Sequence, residues 1–307
     1  MSNGKGGITK RASTKQNKIF STLRREIVEG VFPPGARLPL RDKIEQRFGV
    51  SWYTIYRVFE RLRQDGFVEF RGRSGTFVCE HPPHLSRYAH VFPRYPESDS
   101  LFKKTLMQVA ERYEREHDLA LPVFFGGRLQ VEFDTEYERL VDDIYSDRLA
   151  GLMIYDIAEF WAHTPVLEAD IPRVFIVSPS DNEGYHRVCF SFERFTERAL
   201  EHLEKLGCKR AGVISAMPHK PVVEHLNRRL AESPMETRPY WLQYIAKGFK
   251  EEARHLAHLL LRDLTQSTER PIGLVVNDDN IVHHVTQGIR DAGLSPEEVH
   301  VVAHCNY

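Results

Sequence analysis

Apolar positions along the chain fall into two regimes. From residue 19 to 62 they recur every three or four residues, the period of an amphipathic helix. Ile19, Phe20, Leu23, Ile27 and Val28 form one such face, which Gly30 ends. The turn Val31-Phe32-Pro33-Pro34-Gly35 leads through Leu38-Pro39 to a short helix carrying Ile44 and Phe48. Gly49 then permits a tight turn, and Ser51 stands where a helix N-cap would accept hydrogen bonds. Ile55, Val58, Phe59 and Leu62 make the buried stripe of a third helix, leaving Trp52, Tyr53, Thr54, Tyr56, Arg57 and Arg61 off the core. Phe67–Arg71 and Gly75–Val78 follow as β-rich runs joined by Gly72-Arg73-Ser74, which predicts a hairpin with a basic tip.

Beyond residue 87 the pattern changes to short apolar runs alternating with helical segments. Expected strands are Tyr88–Phe92, Leu121–Phe125, Gly151–Tyr155, Arg173–Val177, Arg187–Phe190, Arg210–Ile214, Trp241–Ile245, Ile272–Val276 and His300–Ala303. Helices expected between them include Leu101–Glu116, Glu136–Ser146, Phe195–Leu206, Lys247–Leu264 and Ile281–Ala292. This alternation predicts α/β architecture with mainly parallel sheets covered on both faces, where ligands bind outside the carboxyl ends of the strands.

Charge divides at the same place. The 307 residues carry a net charge of −1, but residues 1–82 hold 16 Lys+Arg against 8 Asp+Glu, or +8, leaving −9 for residues 83–307. A basic end on an acidic body points to a polyanion as partner of the first part. Helix, helix, tight turn, helix and basic hairpin make a winged helix-turn-helix, whose third helix would enter the major groove of double-stranded DNA. The expected organisation is a disordered basic arm over 1–16, too polar to offset the entropy of ordering, a winged helix over 17–80, a Pro/His-containing linker over 81–86 and an α/β domain over 87–307.

Several classes are excluded. No apolar run approaches the roughly 18 residues that span a bilayer, and the polar N-terminus lacks the core of a signal peptide, so a cytoplasmic protein is expected. Cys79, Cys189, Cys208 and Cys305 lie far apart, signalling neither a disulfide framework nor a zinc knuckle. His255-x-x-His258 and His283-His284 have no acidic or thiol partner at ligand spacing, and Gly126-Gly127 is too short for a phosphate loop. No metal, cofactor or catalytic constellation is expected, and the protein is read as a non-enzyme.

The motif order Pro34-Gly35-x-x-Leu38-Pro39, Phe48-Gly49-Val50-Ser51-x-x-Thr54, Leu62-x-x-x-Gly66 and Gly72-x-x-Gly75-Thr76-Phe77-Val78 resembles the GntR-type winged helix. Two departures stand out. Asp42 occupies a position usually held by arginine, with Arg41 one step earlier, and Trp52 and Tyr56 replace arginines of the recognition helix. Aromatic residues can contact thymine methyls but cannot make the bidentate guanine contact, so the operator should differ from those of typical relatives. The expected DNA-binding set is Arg41, Ser51, Trp52, Tyr53, Thr54, Tyr56, Arg57, Arg71, Gly72 and Arg73, with packing against neighbouring helices the competing role for Trp52 and Tyr56.

The remainder resembles the effector domain of LacI/GalR-type repressors, which is similar to periplasmic sugar-binding proteins. The residues that carry this are Leu149-x-Gly151-Leu152-Met153-Ile154, Ile171-Pro172-Arg173-Val174, His202-Leu203-x-x-Leu206-Gly207 through Ile214, Asp278-Asp279, and Ala292-Gly293-Leu294-Ser295-Pro296 through His304. Together the two halves resemble regulators of the arabinose-repressor type. The resemblance implies a two-lobed α/β domain binding a small polar effector, possible sugar included, and a homodimer on operator DNA, acting as a repressor. An activator of the same architecture, or an α/β enzyme with a DNA-binding arm, is the alternative.

Effector-facing candidates are the residues just past the expected strands: Arg94, Tyr95, Tyr155, Asp156, Ser178, Ser191, Ser215, Asp279, His304 and Asn306. Helix capping is the competing role for the serines and for Asp279. Val188-x-x-Ser191 stands where relatives have Val-x-x-Asp, and Arg228-Arg229 lack the following glycine, which weakens the case for a sugar. Ending at Asn306-Tyr307, just after a strand, the domain is expected to be truncated relative to its relatives.

Overall fold

The periodic apolar face of residues 19–28 belongs to α1 (Gly6–Val28), which packs with α2 (Arg41–Phe48) and α3 (Trp52–Gln64). The computed structural model describes residues 6–93, 101–117, 119–126, 134–155, 158–177, 184–216, 220–246, 249–266 and 270–304. Ile19, Phe20, Leu23 and Ile27 meet Ile44 and the Ile55, Val58, Phe59 and Leu62 stripe in one buried cluster. Gly49 ends α2 in the left-handed conformation (φ 59°) and donates its N–H to the Glu45 carbonyl. Strands β1 (Val68–Phe70) and β2 (Thr76–Val78) pair antiparallel, with Val68 opposite Val78, and Phe67, Val68 and Val78 join the same core.

Three local expectations change. Residues 6–16, expected as a disordered arm, are helical: once the Ile19–Val28 face holds the helix, each added residue gains a hydrogen bond without a new nucleus. Ser51 occupies the N-cap position of α3, but its side chain caps no backbone N–H; it lies 3.4 Å from the Thr54 hydroxyl, while its carbonyl accepts from Thr54 N at 3.0 Å. The 81–86 stretch contains a helical turn, α4 (Pro83–Ser86), in which the Ser86 hydroxyl donates to the carbonyls of His81 and Pro82.

The rest folds into two mainly parallel sheets. The first has β3 (Tyr88–Phe92), β4 (Val123–Phe125), β5 (Gly151–Ile154), β6 (Arg173–Val177) and β7 (Arg187–Cys189) in the order β4-β3-β5-β6-β7. Here β3 runs parallel to β4 and β5, and β5 to β6. Helices α5 (Leu101–Glu116), α6 (Asp134–Tyr145) and α7 (Pro165–Glu168) lie between its strands in the chain. The second sheet, β11-β10-β8-β9, is parallel throughout and consists of β8 (Ala211–Ala216), β9 (Leu242–Ile245), β10 (Ile272–Val276) and β11 (Val299–Ala303). It alternates with α8 (Phe192–Lys205), α9 (Lys220–Glu232), α10 (Glu252–Leu264) and α11 (Asp279–Asp291). Both sheets repeat one winding: the second strand lies outside the first, and the third and fourth extend the other side.

The chain divides into one compact unit of residues 1–95 and 109–188 and another of 96–108 and 189–307. In the second, strand alternation feeds both faces. Ile214, Leu274 and Val276 pack with α10 and α11, whereas Val213 and Val275 pack with Leu200, Leu203, Leu226 and Leu230 of α8 and α9. α9 is not among the helices the sequence pattern singled out. α10 and α11 approach closely because Ala257 faces Gly288, where an added Cβ would lie 2.3 Å from the Arg254 carbonyl oxygen and 2.8 Å from the Ala257 Cβ. Gly288→Ala therefore forces the helices apart and should destabilise this unit by about 1–3 kcal/mol, read as a lower urea midpoint. An unchanged midpoint would show that the helices do not pack this closely.

Candidate functional site

On α3 the buried stripe fixes what remains outside. Tyr53 is 69% exposed and Tyr56 41%, and they share a face with Arg57 at helical spacing. Arg57 is exposed and carries no hydrogen bond, ion pair or ring contact among the described residues. Trp52 behaves differently: it is half-buried, packs on the helical core and lies 6.0 Å from the Tyr56 ring. The Arg41 guanidinium sits 5.0 Å over Trp52 and its Nε pairs with Glu45 at 3.1 Å, so Arg41 and Trp52 brace the helix start.

The wing tip is a 3₁₀ turn over Gly72–Ser74, with Gly72 and Gly75 at φ 54° and 109°. Arg73 projects from it, exposed and without a partner among the described residues. Arg71 is occupied, pairing with Glu69 at 2.6 Å and Glu80 at 3.3 Å and lying 4.6 Å over the Phe77 ring. Of the expected contact residues, Arg57 and Arg73 thus have charge to give, Tyr53 and Tyr56 have exposed rings, Ser51 and Thr54 bond each other, and Gly72 shapes the tip.

In parallel doubly wound sheets the binding crevice lies where the winding reverses, between β3 and β5 in the first sheet and between β8 and β10 in the second. At the first reversal the structure places an aromatic stack. Tyr155, just past β5, lies 4.2 Å from Phe92 with planes 7° apart, and Phe92 lies 5.7 Å from Phe125 at the end of β4. The Tyr155 hydroxyl and His90 Nδ1 are 2.6 Å apart, both side chains are buried, and His90 Nε2 has no partner. Burial drives the His90 pKa down to about 4 and the Tyr155 pKa up, so both are neutral near pH 7. Tyr155 is therefore a packing residue whose hydroxyl is spent on His90.

At the second reversal polar groups converge. Parallel pairing of Ile214 with Val276 brings Ser215 level with Asn277. Ser215 belongs to β8 itself, one residue inside the strand end, and bonds the Ala216 carbonyl at 3.4 Å; the strand runs two residues past its expected stop because Ser215 and Ala216 still pair with Tyr244 and Ile245 of β9. Asn277 is buried with Oδ1 unpartnered. Asp279, also buried, is the first residue of α11, while its neighbour Asp278 is the cap, accepting Asn280 N at 2.8 Å. Asn280 Nδ2 donates to both Asp278 and Asp279, and its Oδ1 accepts from Leu101 N at 3.1 Å.

Other candidates scatter. Ser191 caps α8, accepting from Arg194 N at 3.2 Å. His304, past β11, stands among the rings of Phe190, Phe192 and Phe195 at about 6 Å. Arg94, Tyr95, Asp156, Ser178 and Asn306 lie outside the described residues. His90, Phe92, Phe125 and Asn277 were not anticipated. Only Asn277, adjoining the Asp278-Asp279 pair, had a signal in the sequence.

Comparison with known proteins agrees with both halves. Residues 15–78 match the model for bacterial regulatory proteins of the gntR family, and residues 200–307 match the periplasmic binding protein-like domain. The chain therefore carries a GntR-type helix-turn-helix domain and a periplasmic-binding-protein-like domain. An HTH-type transcriptional regulator of Mycobacterium tuberculosis, Rv1152, is 36% identical over 78 residues, 24% of this chain and 64% of that protein. A second from the same organism, Rv0494, is 38% identical over 61 residues, 20% of this chain and 25% of that protein. The chain thus spans less than two thirds of the length of either relative. The transcriptional repressor ascG of Escherichia coli superposes with a TM-score of 0.52 at 15% identity, over 71% of this chain and 78% of that one. A sugar-binding transcriptional regulator of the LacI family from Escherichia coli, complexed with phosphate, gives 0.50 at 15% identity, over 70% and 77%. These likenesses establish the mixed α/β fold.

The buried His90 makes a measurable pH dependence. Unfolded, it titrates near 6.5; folded, near 4, so between these values the unfolded chain binds the extra proton and stability rises with pH. As pH falls from 6.5 to 4, the chain should lose up to about 3 kcal/mol from this group. His90→Gln, which cannot titrate, should show a shallower fall over that window in urea unfolding. Equal slopes would mean His90 is not buried neutral.

Proposed function

We propose that this chain is a transcription regulator that binds double-stranded operator DNA through residues 17–80 and a small polar effector through residues 87–307. The observation that carries the reading is the presence of two arginines without a partner among the described residues, Arg57 on α3 and Arg73 at the wing tip, on a basic helix-turn-helix unit. Arginines left free of intramolecular carboxylates are available to phosphates or to guanine edges. Tyr53 and Tyr56 supply exposed rings beside Arg57, suited to thymine methyls and sugar faces, so sequence preference should come from apolar contacts as much as from hydrogen bonds.

The effector site falls best at the β8/β10 strand ends, where Asn277, level with Ser215, has an unpartnered buried oxygen among the described residues and Asp279, two residues on, a buried carboxylate. Those groups suit a ligand with hydroxyl or amine donors. A sugar is the first class to try, since one structural likeness is described as sugar-binding. A homodimer is the expected assembly, because one winged helix reads a single half-site. Repression is the expected outcome, with effector binding lowering operator affinity.

Fluorescence anisotropy with duplex DNA from upstream of the gene tests the DNA half. Binding should weaken steeply with salt, and Arg57→Ala and Arg73→Ala should each reduce the slope of log affinity against log salt by about 1. Tyr53→Ala should alter preference among duplexes more than it alters the slope. No complex at any salt concentration, or both arginine variants binding like the wild type, would overturn the assignment.

A further inference from the structure

The last turn of α3 ends at Asp65, whose N–H closes on the Arg61 carbonyl at 2.9 Å. Its carboxylate is only 17% exposed, and one oxygen is buried with no hydrogen-bond partner. The nearest paired cation comes from across the sequence: Arg148 Nη1, on the loop between α6 and β5, stands 3.5 Å from Asp65 Oδ1. Arg148 is itself fixed from behind. Its Nε donates to Asp143 Oδ1 at 2.7 Å, and its Nη2 pairs with Asp142. Asp143 also accepts from Arg87 Nη1 at 2.7 Å, and Arg87 immediately precedes β3.

Three further contacts tie the helical part to the chain that follows it. Arg24 of α1, largely buried, pairs with Asp147 at 3.1 Å and donates to the Tyr145 carbonyl at 3.3 Å. The His84 ring, on α4, stacks 5.8 Å from Phe67 with planes 17° apart. All these residues belong to one compact unit.

We infer that Arg148 is a positioning residue, clamping the end of the recognition helix to the α6–β5 edge of the first sheet so that the DNA reader and that sheet move as one body. The physical ground is the cost of burying charge. Asp65 and Arg148 are each only 17% exposed, and removing the guanidinium would take from the buried Asp65 carboxylate its ion-pair partner, whereas Asp143 would keep Arg87. A helical turn in place of a loose tether supports the same geometry. Any displacement of the α6–β5 edge would then reach α3 directly, without passing through a flexible linker.

This inference uses the reading of α3 as the DNA-contacting helix only for its consequence, and its test contains no DNA. Backbone ¹⁵N relaxation of the full chain should give α1–α3 and β3–β5 amides one common tumbling time. In Arg148→Gln the α1–α3 amides should tumble measurably faster than the sheet, with Arg24 on Asp147 the residual tie, while β8 and β10 stay unchanged. Asp65→Asn should produce the same release, the double variant should add nothing to either, and Arg148→Lys should restore most of the coupling. Separate tumbling in the wild type, unaltered common tumbling in both single variants, or additive effects would overturn the clamp. Failure of DNA binding would leave this result standing, and separate tumbling would leave the DNA assignment standing.

Discussion

Parallel strand pairing is the constraint from which most of this molecule follows. A parallel strand cannot return by a tight turn, so the connections between the parallel strands cross a face of the sheet and carry helices. Both faces are then covered, and strands such as Gly212–Ser215 and Ile272–Val276 become continuous apolar runs whose alternate residues feed different helix layers. The same winding puts the strand carboxyl ends at one edge and creates a reversal in each sheet. One reversal is filled by the Phe92, Tyr155 and His90 stack; the other gathers Ser215, Asn277 and Asp279. Among the described residues the chemistry at the two reversals is unlike: the first is lined mainly by rings and the second by polar side chains.

The smaller helical part obeys a different economy. Its core is a single cluster held by three helices and a short hairpin, and its charge is spent unevenly. Arg41 and Arg71 are drawn into ion pairs with neighbouring glutamates, while Arg57 and Arg73 have no partner among the described residues. A domain stabilised only by its own packing would gain little from leaving those two unpaired on a surface already rich in cations. A polyanionic partner gives them a use, and exposed aromatic residues beside Arg57 give that partner something to be recognised by.

Much of the fold was legible in the sequence because it rests on local periodicity. The stripe of Ile55, Val58, Phe59 and Leu62 and the runs at 88–92 and 272–276 lie where the pattern puts them. Where reading failed, the deciding interaction was distant or directional. Nothing in the neighbourhood of Arg148 announces Asp65, and nothing around Tyr155 announces that its hydroxyl will be consumed by His90. Ser51 has the right residue type and backbone angles for a cap, yet its hydroxyl turns to Thr54, a rotamer choice no sequence pattern encodes. Ser191, with equal claims on paper, does cap its helix.

In the proposed regulator, ligand at the strand ends and DNA at α3 and the wing are coupled, and coupling is reciprocal by thermodynamic necessity. The direct measurement is a pair of calorimetric titrations with a compound that raises the thermal midpoint, one on free protein and one on protein saturated with its duplex. The account predicts different dissociation constants in the two, with a ratio equal to the change that saturating compound makes in DNA affinity. Equal dissociation constants would contradict it.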